Sequence, residues 1–306
     1  MRKTAVAIIA STFLVSCAQA ATRATEIVAK IELGATGPCA VAFEGGAVWA
    51  TVISSNELVR IDPATNQITA RIKTGGGPCG ITSGAGSLWV MTNSGNTVQR
   101  IDPATNTVIA TIPVGRSPYD VLYAFDSVWV TNYNDSTIDR IDPATNRVVK
   151  RIRILGAPSG LAATRSALWV GDASGKSIVR ISPRTNKVVR RVRTGGAGPE
   201  WLASSGYTVW ASNKLDKTVA RIDERKNRRV ALIRGLGTYP SDGGIVGGSL
   251  WIPNLRSNTI SRIDMKRNRV VETVRVGKGP FVVPDHPDEL WVASFGGTDL
   301  WRIKPR

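Results

Sequence analysis

Seven tryptophans, Trp49, Trp89, Trp129, Trp169, Trp210, Trp251 and Trp291, divide the chain at intervals of 40, 40, 40, 41, 41 and 40 residues. Each stands in the same frame, which opens on Pro38, Pro78, Pro118, Pro158, Pro199, Pro240 or Pro280. A fixed period of this length carrying alternating apolar residues specifies a propeller or a solenoid. The second unit shows the frame clearly. An innermost strand a spans Gly80 to Ser83, and strand b carries Leu88, Trp89 and Val90. A polar loop, Asn93 to Asn96, leads to strand c, Thr97 to Asp102, and then to strand d, Thr107 to Ile112. Strand c bears apolar residues on both faces, as expected when each blade is covered by neighbours on both sides.

The c–d connection reads DPATN from Asp62, Asp102 and Asp142 and degrades to SPRTN, DERKN and DMKRN in later units. Asp accepts turn amides, Pro presets φ, and Asn tolerates the left-handed conformation. Only the last residue survives throughout, as Asn186, Asn227 and Asn268 in the degraded copies. Seven units predict an all-β, seven-bladed β-propeller forming a single domain over residues 21–306. The last unit stops at WRIKPR without a strand d, and Thr25 to Ile31 reads as a strand d with no strand before it. Pairing the two completes the last blade with the N-terminal strand. A closed ring leaves no complementary edge for another chain, so a monomer is expected.

LWVTN-like strands followed by RIDPATN and a V-G-x-x-P exit resemble the YVTN family of bacterial β-propeller proteins. The repeats are also similar to those of streptogramin (virginiamycin B) lyase propellers. The resemblance covers Ile27 to Arg306. It implies the fold directly; function has to come from the site, because propellers host enzymes, receptors and scaffolds alike. The lyase resemblance implies a histidine, glutamates and a divalent metal on the face of the d–a and b–c loops. The single histidine, His286 in PDHPDE, falls in the a–b turn of the seventh unit, on the opposite rim. The lyase pattern is therefore not carried over, and the chain reads as a binding protein before it reads as an enzyme.

Residues 1–20 read as an export signal. Arg2 and Lys3 precede the apolar run Ala5–Val15, and Ala18-Gln19-Ala20 supplies a cleavage site. This predicts a periplasmic or secreted protein. Leu14-Val15-Ser16-Cys17 offers the alternative of a lipid anchor through Cys17. No later run is long and apolar enough for a transmembrane segment. Cys39 and Cys79 occupy equivalent positions in the first two units, where adjacent inner strands come closest. A disulfide between them is one expectation; two small buried thiols are the other.

The formal net charge is +17 and unevenly spread. Residues 21–146 carry 8 basic and 11 acidic side chains, whereas residues 147–274 carry 25 and 8. The excess falls on c–d turns and outer strands, at Arg190, Arg191, Arg193, Arg225, Lys226, Arg228, Arg229, Lys266, Arg267 and Arg269. These predict a basic sector on one side of the disc, suited to an anionic surface or nucleic acid. Aromatic residues are not interleaved with them, which disfavours base stacking there. One arginine recurs in every unit (Arg60, Arg100, Arg140, Arg180, Arg221, Arg262, Arg302), so it has a structural role, paired with a turn carboxylate or lying over a neighbouring tryptophan.

The repeat breaks just after each proline. That position holds Cys39, Cys79, Tyr119, Ser159, Glu200, Ser241 and Phe281, and the next holds Ala40, Gly80, Asp120, Gly160, Trp201, Asp242 and Val282. The b–c loops add Asn93, Asn132, Tyr133, Asp172, Asn213, Lys214, Asn254, Arg256 and Phe295. Tyr119, Tyr133, Trp201 and Phe281 with Asp120, Glu200, Asp242 and Arg256 predict a channel-mouth site for a small polar or cationic ligand, a protein segment or a divalent cation. Gly171 to Ser177 resembles a phosphate loop but is one residue short between its glycines and joins two strands, so it reads as a b–c loop. The reading that results is an exported binding scaffold with a mouth site and a basic sector. The alternatives are a metal-dependent lyase or lactone hydrolase, and a nucleic-acid-binding protein. Intact mass of the protein purified from its native envelope separates the two export routes: a chain starting at Ala21 is expected, and a lipidated Cys17 terminus would overturn it.

Overall fold

The computed structural model describes residues 25–305, so the export-signal reading of residues 1–20 and the Cys17 anchor lie outside the described residues. The chain forms seven four-stranded antiparallel sheets arranged as a seven-bladed β-propeller. Among the described residues the only helical element is a single 3₁₀ turn, Tyr133–Asp135. The first blade comprises Pro38–Glu44, Ala47–Val52, Glu57–Asp62 and Gln67–Lys73, and the pattern repeats around the ring. The seventh blade is completed by Glu26–Glu32, paired antiparallel with Asp299–Lys304 from Glu26↔Lys304 to Glu32↔Asp299. The N-terminal strand therefore closes the ring as its sequence predicts.

The core lies between blades. One cluster joins Trp129, Ile138 and Ile152 of blade three to Leu161, Leu168, Val170 and Val179 of blade four. The marker tryptophans are between 0 and 3 % exposed. In the first three blades the indole N–H donates to the carbonyl at the start of the a–b turn: Glu44, Gly84 and Ala124, at 3.0, 3.0 and 2.9 Å. Trp169 uses Thr164 Oγ1 at 3.1 Å instead. These four tryptophans thus fix their own hairpins while filling inter-blade seams; the indole N–H groups of Trp210 and Trp251 have no hydrogen-bond partner, so packing in the seam is what all seven positions share.

The recurrent arginine binds the next blade. Arg100 Nη1 donates to Asn146 Oδ1 at 3.0 Å and to the Pro143 carbonyl at 2.7 Å. Arg140 makes the same pair with Asn186 and Pro183 at 3.1 and 3.0 Å. Arg60, Arg180 and Arg221 reach Asn106, Asn227 and Asn268 in turn, and Arg302 closes the circle onto Asn66 of blade one. Each of these arginines also lies over the tryptophan of its own blade, 4.9–5.9 Å from the ring centroid. The expected turn-carboxylate partner is therefore an asparagine amide in most blades, with Glu224 adding a carboxylate to Arg180. The turn asparagines all have φ between 48° and 59°, a region that glycine would occupy more cheaply. Asparagine persists because its side chain also accepts the arginine. Blade seven has no c–d turn, since its strand d comes from the other end of the chain. There Arg262 pairs with Glu272 at 3.5 Å, and Thr25 donates to Glu272 at 2.6 Å.

Asn186→Gly separates the two roles. It keeps the left-handed turn and removes the side-chain acceptor that Arg140 has in the next blade, so it is expected to destabilise by about 1–3 kcal/mol in chemical unfolding. Its effect should be strongly non-additive with Arg140→Ala. A neutral or stabilising Asn186→Gly would mean that the turn alone selects asparagine.

Candidate functional site: an aromatic mouth over an acidic channel

Every innermost strand carries one extra residue directly after its proline. Pro118 pairs with Asn132 but Asp120 with Thr131, and Pro199 pairs with Asn213 but Trp201 with Ser212. A bulge of this kind re-aims the side chains beside it. Here it turns the residues that break the repeat toward the ring axis.

Five aromatic side chains meet there. Phe295 packs on Phe281 at 5.4 Å, Phe281 edges onto Trp201 at 5.2 Å and 88°, Trp201 stacks on Tyr119 at 5.3 Å, and Tyr119 meets Tyr133 at 5.4 Å. Two glycines of blade four make room for this arrangement. A Cβ on Gly160 would lie 2.9 Å from Trp201 Cα, and one on Gly171 would lie 2.5 Å from the Glu200 carbonyl. Gly171 is thus a packing residue in strand Leu168–Asp172, and Gly171–Ser177 is a b–c connection between strands. The mouth is a cavity of about 380 Å³ walled by Tyr119, Trp201, Tyr239, Phe281, Phe295 and Leu255, among others.

Glu200 is 2 % exposed and engaged on both oxygens, by the Tyr119 hydroxyl and by Lys214. Burial and the Glu200 carboxylate both hold the Tyr119 phenol well above its ordinary range, so it stays protonated. Burial alone would lower Lys214, but Glu200 more than reverses this and leaves it raised. Deeper in the channel stand Asp120 and Asp242. Asp120 accepts the amides of Leu161 and Val121 at 2.7 and 2.8 Å. Both carboxyls keep a wetted edge on the channel while protein encloses their other sides. Burial pushes Asp120 up to about 7 against its two amide donors. Burial, then the charges of Asp120 and Asp285, push Asp242 well above the carboxylate range.

The predicted residues therefore divide. Tyr119, Tyr133, Glu200, Trp201 and Phe281 are brought together at the mouth, and Asp120 and Asp242 form a second group below. Arg256 lies at the rim over Tyr239, 4.8 Å from its ring. Asn132, Asn213 and Asn254 are fully buried and donate to Thr137, Thr218 and Thr259 at 3.1, 2.9 and 3.0 Å, so they are strand ties rather than site residues. Among the described residues no group of three His, Cys, Asp or Glu converges to hold a metal. The carboxylates of Asp120, Glu200 and Asp242 do not supply the donor set expected of a divalent-cation site. His286 packs against Phe43 at 4.8 Å in the a–b turn region and takes no part in the mouth. Cys39 and Cys79 are disulfide-bonded, with Cα atoms 5.0 Å apart, and line the channel.

Tyr239 is the residue sequence reasoning missed. It precedes Pro240, and it adopts φ 63° where Gly37, Gly77, Gly198 and Gly279 stand in four other blades; Ser117 is likewise left-handed, at φ 52°, in blade three, and Ala157 holds the position in blade four. A bulky side chain in that region costs about 1–2 kcal/mol. Comparing the residues before the prolines rather than after them exposes the signal.

The basic residues are exposed on outer strands and turns, but several are occupied. Arg191 pairs with Asp172 at 3.2 Å and donates to the Leu155 carbonyl of the preceding blade. Arg229 donates to the Thr194 carbonyl at 3.1 Å, and Arg267 pairs with Asp264 at 2.9 Å. Arg225 lies 4.0 Å over the Tyr207 ring, so one aromatic does stand among these arginines.

The fold is that of a seven-bladed β-propeller. A streptogramin B lyase structure superposes with a TM-score of 0.79 over 91 % of this chain and 97 % of that one, at 17 % identity. Kuenenia stuttgartiensis hydrazine synthase gives 0.77 over 90 % and 97 %, at 16 % identity. These likenesses establish the fold. No protein-family model matches the chain, so the YVTN resemblance rests on its repeat residues, and no curated protein matches it in sequence.

The raised channel carboxyls set a pH dependence. A folded state that keeps protons the unfolded chain releases loses stability as pH rises, here between about 4 and 7. An Asp120→Asn/Asp242→Asn variant should gain on the parent across that window by more than about 1.4 kcal/mol, the equivalent of one pKa unit. A flat difference between the two unfolding curves would mean that channel water solvates both carboxyls fully.

Proposed function

We propose that the protein is an exported binding propeller. Its aromatic mouth takes a small ligand or a side chain of a partner segment, and its basic sector contacts an anionic partner. The observation that carries the reading is Tyr239. A bulky left-handed tyrosine, where other blades place glycine, serine or alanine, persists when the ring it contributes is worth more than the strain, and the ring belongs to the mouth. The aromatic contacts from Tyr133 to Phe295 support the same reading, because they occupy positions where the repeat is otherwise free to vary. The metal-dependent lyase or hydrolase alternative rests on resemblance of fold and on the repeats, and the donor set at the mouth does not favour it. For the basic sector, Arg190, Arg193, Lys226, Arg228, Lys266 and Arg269 are the supporting residues, since their side chains have no hydrogen bond or ion pair among the described residues.

Two measurements test this. Tyr239→Gly should raise the unfolding free energy by about 1 kcal/mol. The same variant and Phe281→Ala should each weaken, by about tenfold or more, any compound that stabilises the parent in a thermal-shift screen. Compounds binding parent and variants equally would remove the mouth from the proposal. For the sector, binding to heparin should fall steeply with salt and collapse when the six basic residues become glutamine, with mouth binding unchanged. A salt-independent response would remove the anionic partner, nucleic acid included.

A further inference from the structure

The channel below the aromatic collar has no cation of its own. Its cavity of about 370 Å³ is lined by Asp120, Asp242 and Asp285, and no Lys, Arg or His lines it. Asp120 and Asp285 each accept backbone amides, the latter from Ile245 at 2.6 Å. The Asp242 carboxyl is half-buried on the channel wall and has no hydrogen-bond partner among the described residues. The collar wall holds a second unpartnered polar group, the indole N–H of Trp201, a residue 4 % exposed. Tyr119, Trp201 and Phe281 line both this cavity and the mouth above it, so the two spaces share one aromatic waist.

A half-buried carboxylate without a countercharge is costly, and a proton or a cation relieves it. The charges of Asp120 and Asp285 both oppose ionisation of Asp242 while the channel holds only water. A charge entering from outside resolves this. Three carboxylates spread along a channel without converging do not form a metal shell. Aromatic faces do attract an alkylammonium, which is large, weakly hydrated and needs no fixed coordination number. The cavity lies at the small end of ligand pockets, roughly 300–1,000 Å³, which suits a compact molecule rather than a macrocycle.

We infer that the axial channel binds a compact organic cation, a quaternary or protonated alkylamine, with its charge held by Asp242 and Asp120 and its carbons against Tyr119, Trp201 and Phe281. The inference rests on the ligand-binding reading of the mouth and names the ligand class for that site. An acceptor oxygen on the ligand would also satisfy the Trp201 N–H. The titratable groups facing the ligand are Tyr119, Asp120, Asp242 and Asp285. The first keeps its proton, and the other three must lose theirs for the cation to bind well.

Calorimetric titration of the full chain with choline, putrescine and 3,3-dimethylbutanol, an uncharged counterpart of choline, tests it. Choline or putrescine should bind at about pH 8, with the uncharged alcohol about tenfold weaker or more. Binding should weaken progressively toward about pH 5 as the carboxyls protonate. Asp242→Asn removes an uncompensated half-buried acid, so it should fold stably and lose about tenfold or more in choline affinity. Phe281→Leu keeps the apolar wall without the ring and should weaken choline while leaving the alcohol unchanged. Equal binding of choline and the alcohol, or no binding of either amine at millimolar concentration, overturns the inference. If the amines fail while other ligands still depend on Phe281 and Tyr239, the ligand class falls and the mouth site stands. If no ligand depends on those residues, both fall.

Discussion

The ring depends on one repeated contact, an arginine of strand c reaching the turn asparagine of the next blade. It is a charge-assisted bond between neighbours that share no covalent connection other than a short crossover, and it is made in a partly buried setting over a tryptophan face. Blade-to-blade apolar packing is nearly non-directional, so blades held by it alone could slide against one another. The arginine fixes the registry. Because the same bond runs from Arg302 to Asn66, the last blade is aligned on the first with the same geometry as any other pair. The one junction without the turn lies between blades six and seven. There Glu272, on the outer strand of blade six, pairs with Arg262 of the same blade and accepts the Thr25 hydroxyl just before the closing strand.

A ring fixed at its turn face leaves the other face free to vary. The extra residue after each proline makes this division physical: a ladder with one residue too many cannot point every side chain along the sheet normals, and the surplus is turned to the axis. Of the seven residues that follow the prolines, Cys79, Tyr119, Glu200 and Phe281 line the mouth, whereas Ser159 and Ser241 are buried and donate to backbone carbonyls of the next blade. Most are small, and the large ones belong to blades three, five and seven, with Tyr239 and Leu255 added from blade six. The aromatic waist is therefore an assembly of alternate blades, built without disturbing the inter-blade seams.

Charge is divided in the same way. The strongly basic outer strands of blades three to six surround a channel with no basic residue in its lining. Some of those outer arginines serve the scaffold, as Arg191 and Arg229 do by gripping carbonyls of the preceding blade. The residues left unengaged form a smaller set than composition suggests. Inside, the half-buried carboxyls of Asp120 and Asp242 line the channel, so the outward and inward surfaces of the ring carry side chains of opposite sign.

The sequence by itself determined the number of blades, the strand order, the turn residues and the closing strand, because period, alternation and turn chemistry are local properties repeated seven times. It also marked the residues after the prolines as the place where the repeat breaks. It could not show that Tyr119, Glu200, Trp201 and Phe281 touch, since they lie up to 162 positions apart and meet only across the closed ring. Nor could it separate Glu200, held by Lys214 and Tyr119, from Asp120 and Asp242, left to face one another in the channel. The buried asparagines of the b–c loops read as site residues for the same reason: residue type does not report whether a side chain faces a cavity or a strand neighbour. Only the tertiary structure decides solvation, and solvation decides which polar groups are satisfied and which await a partner.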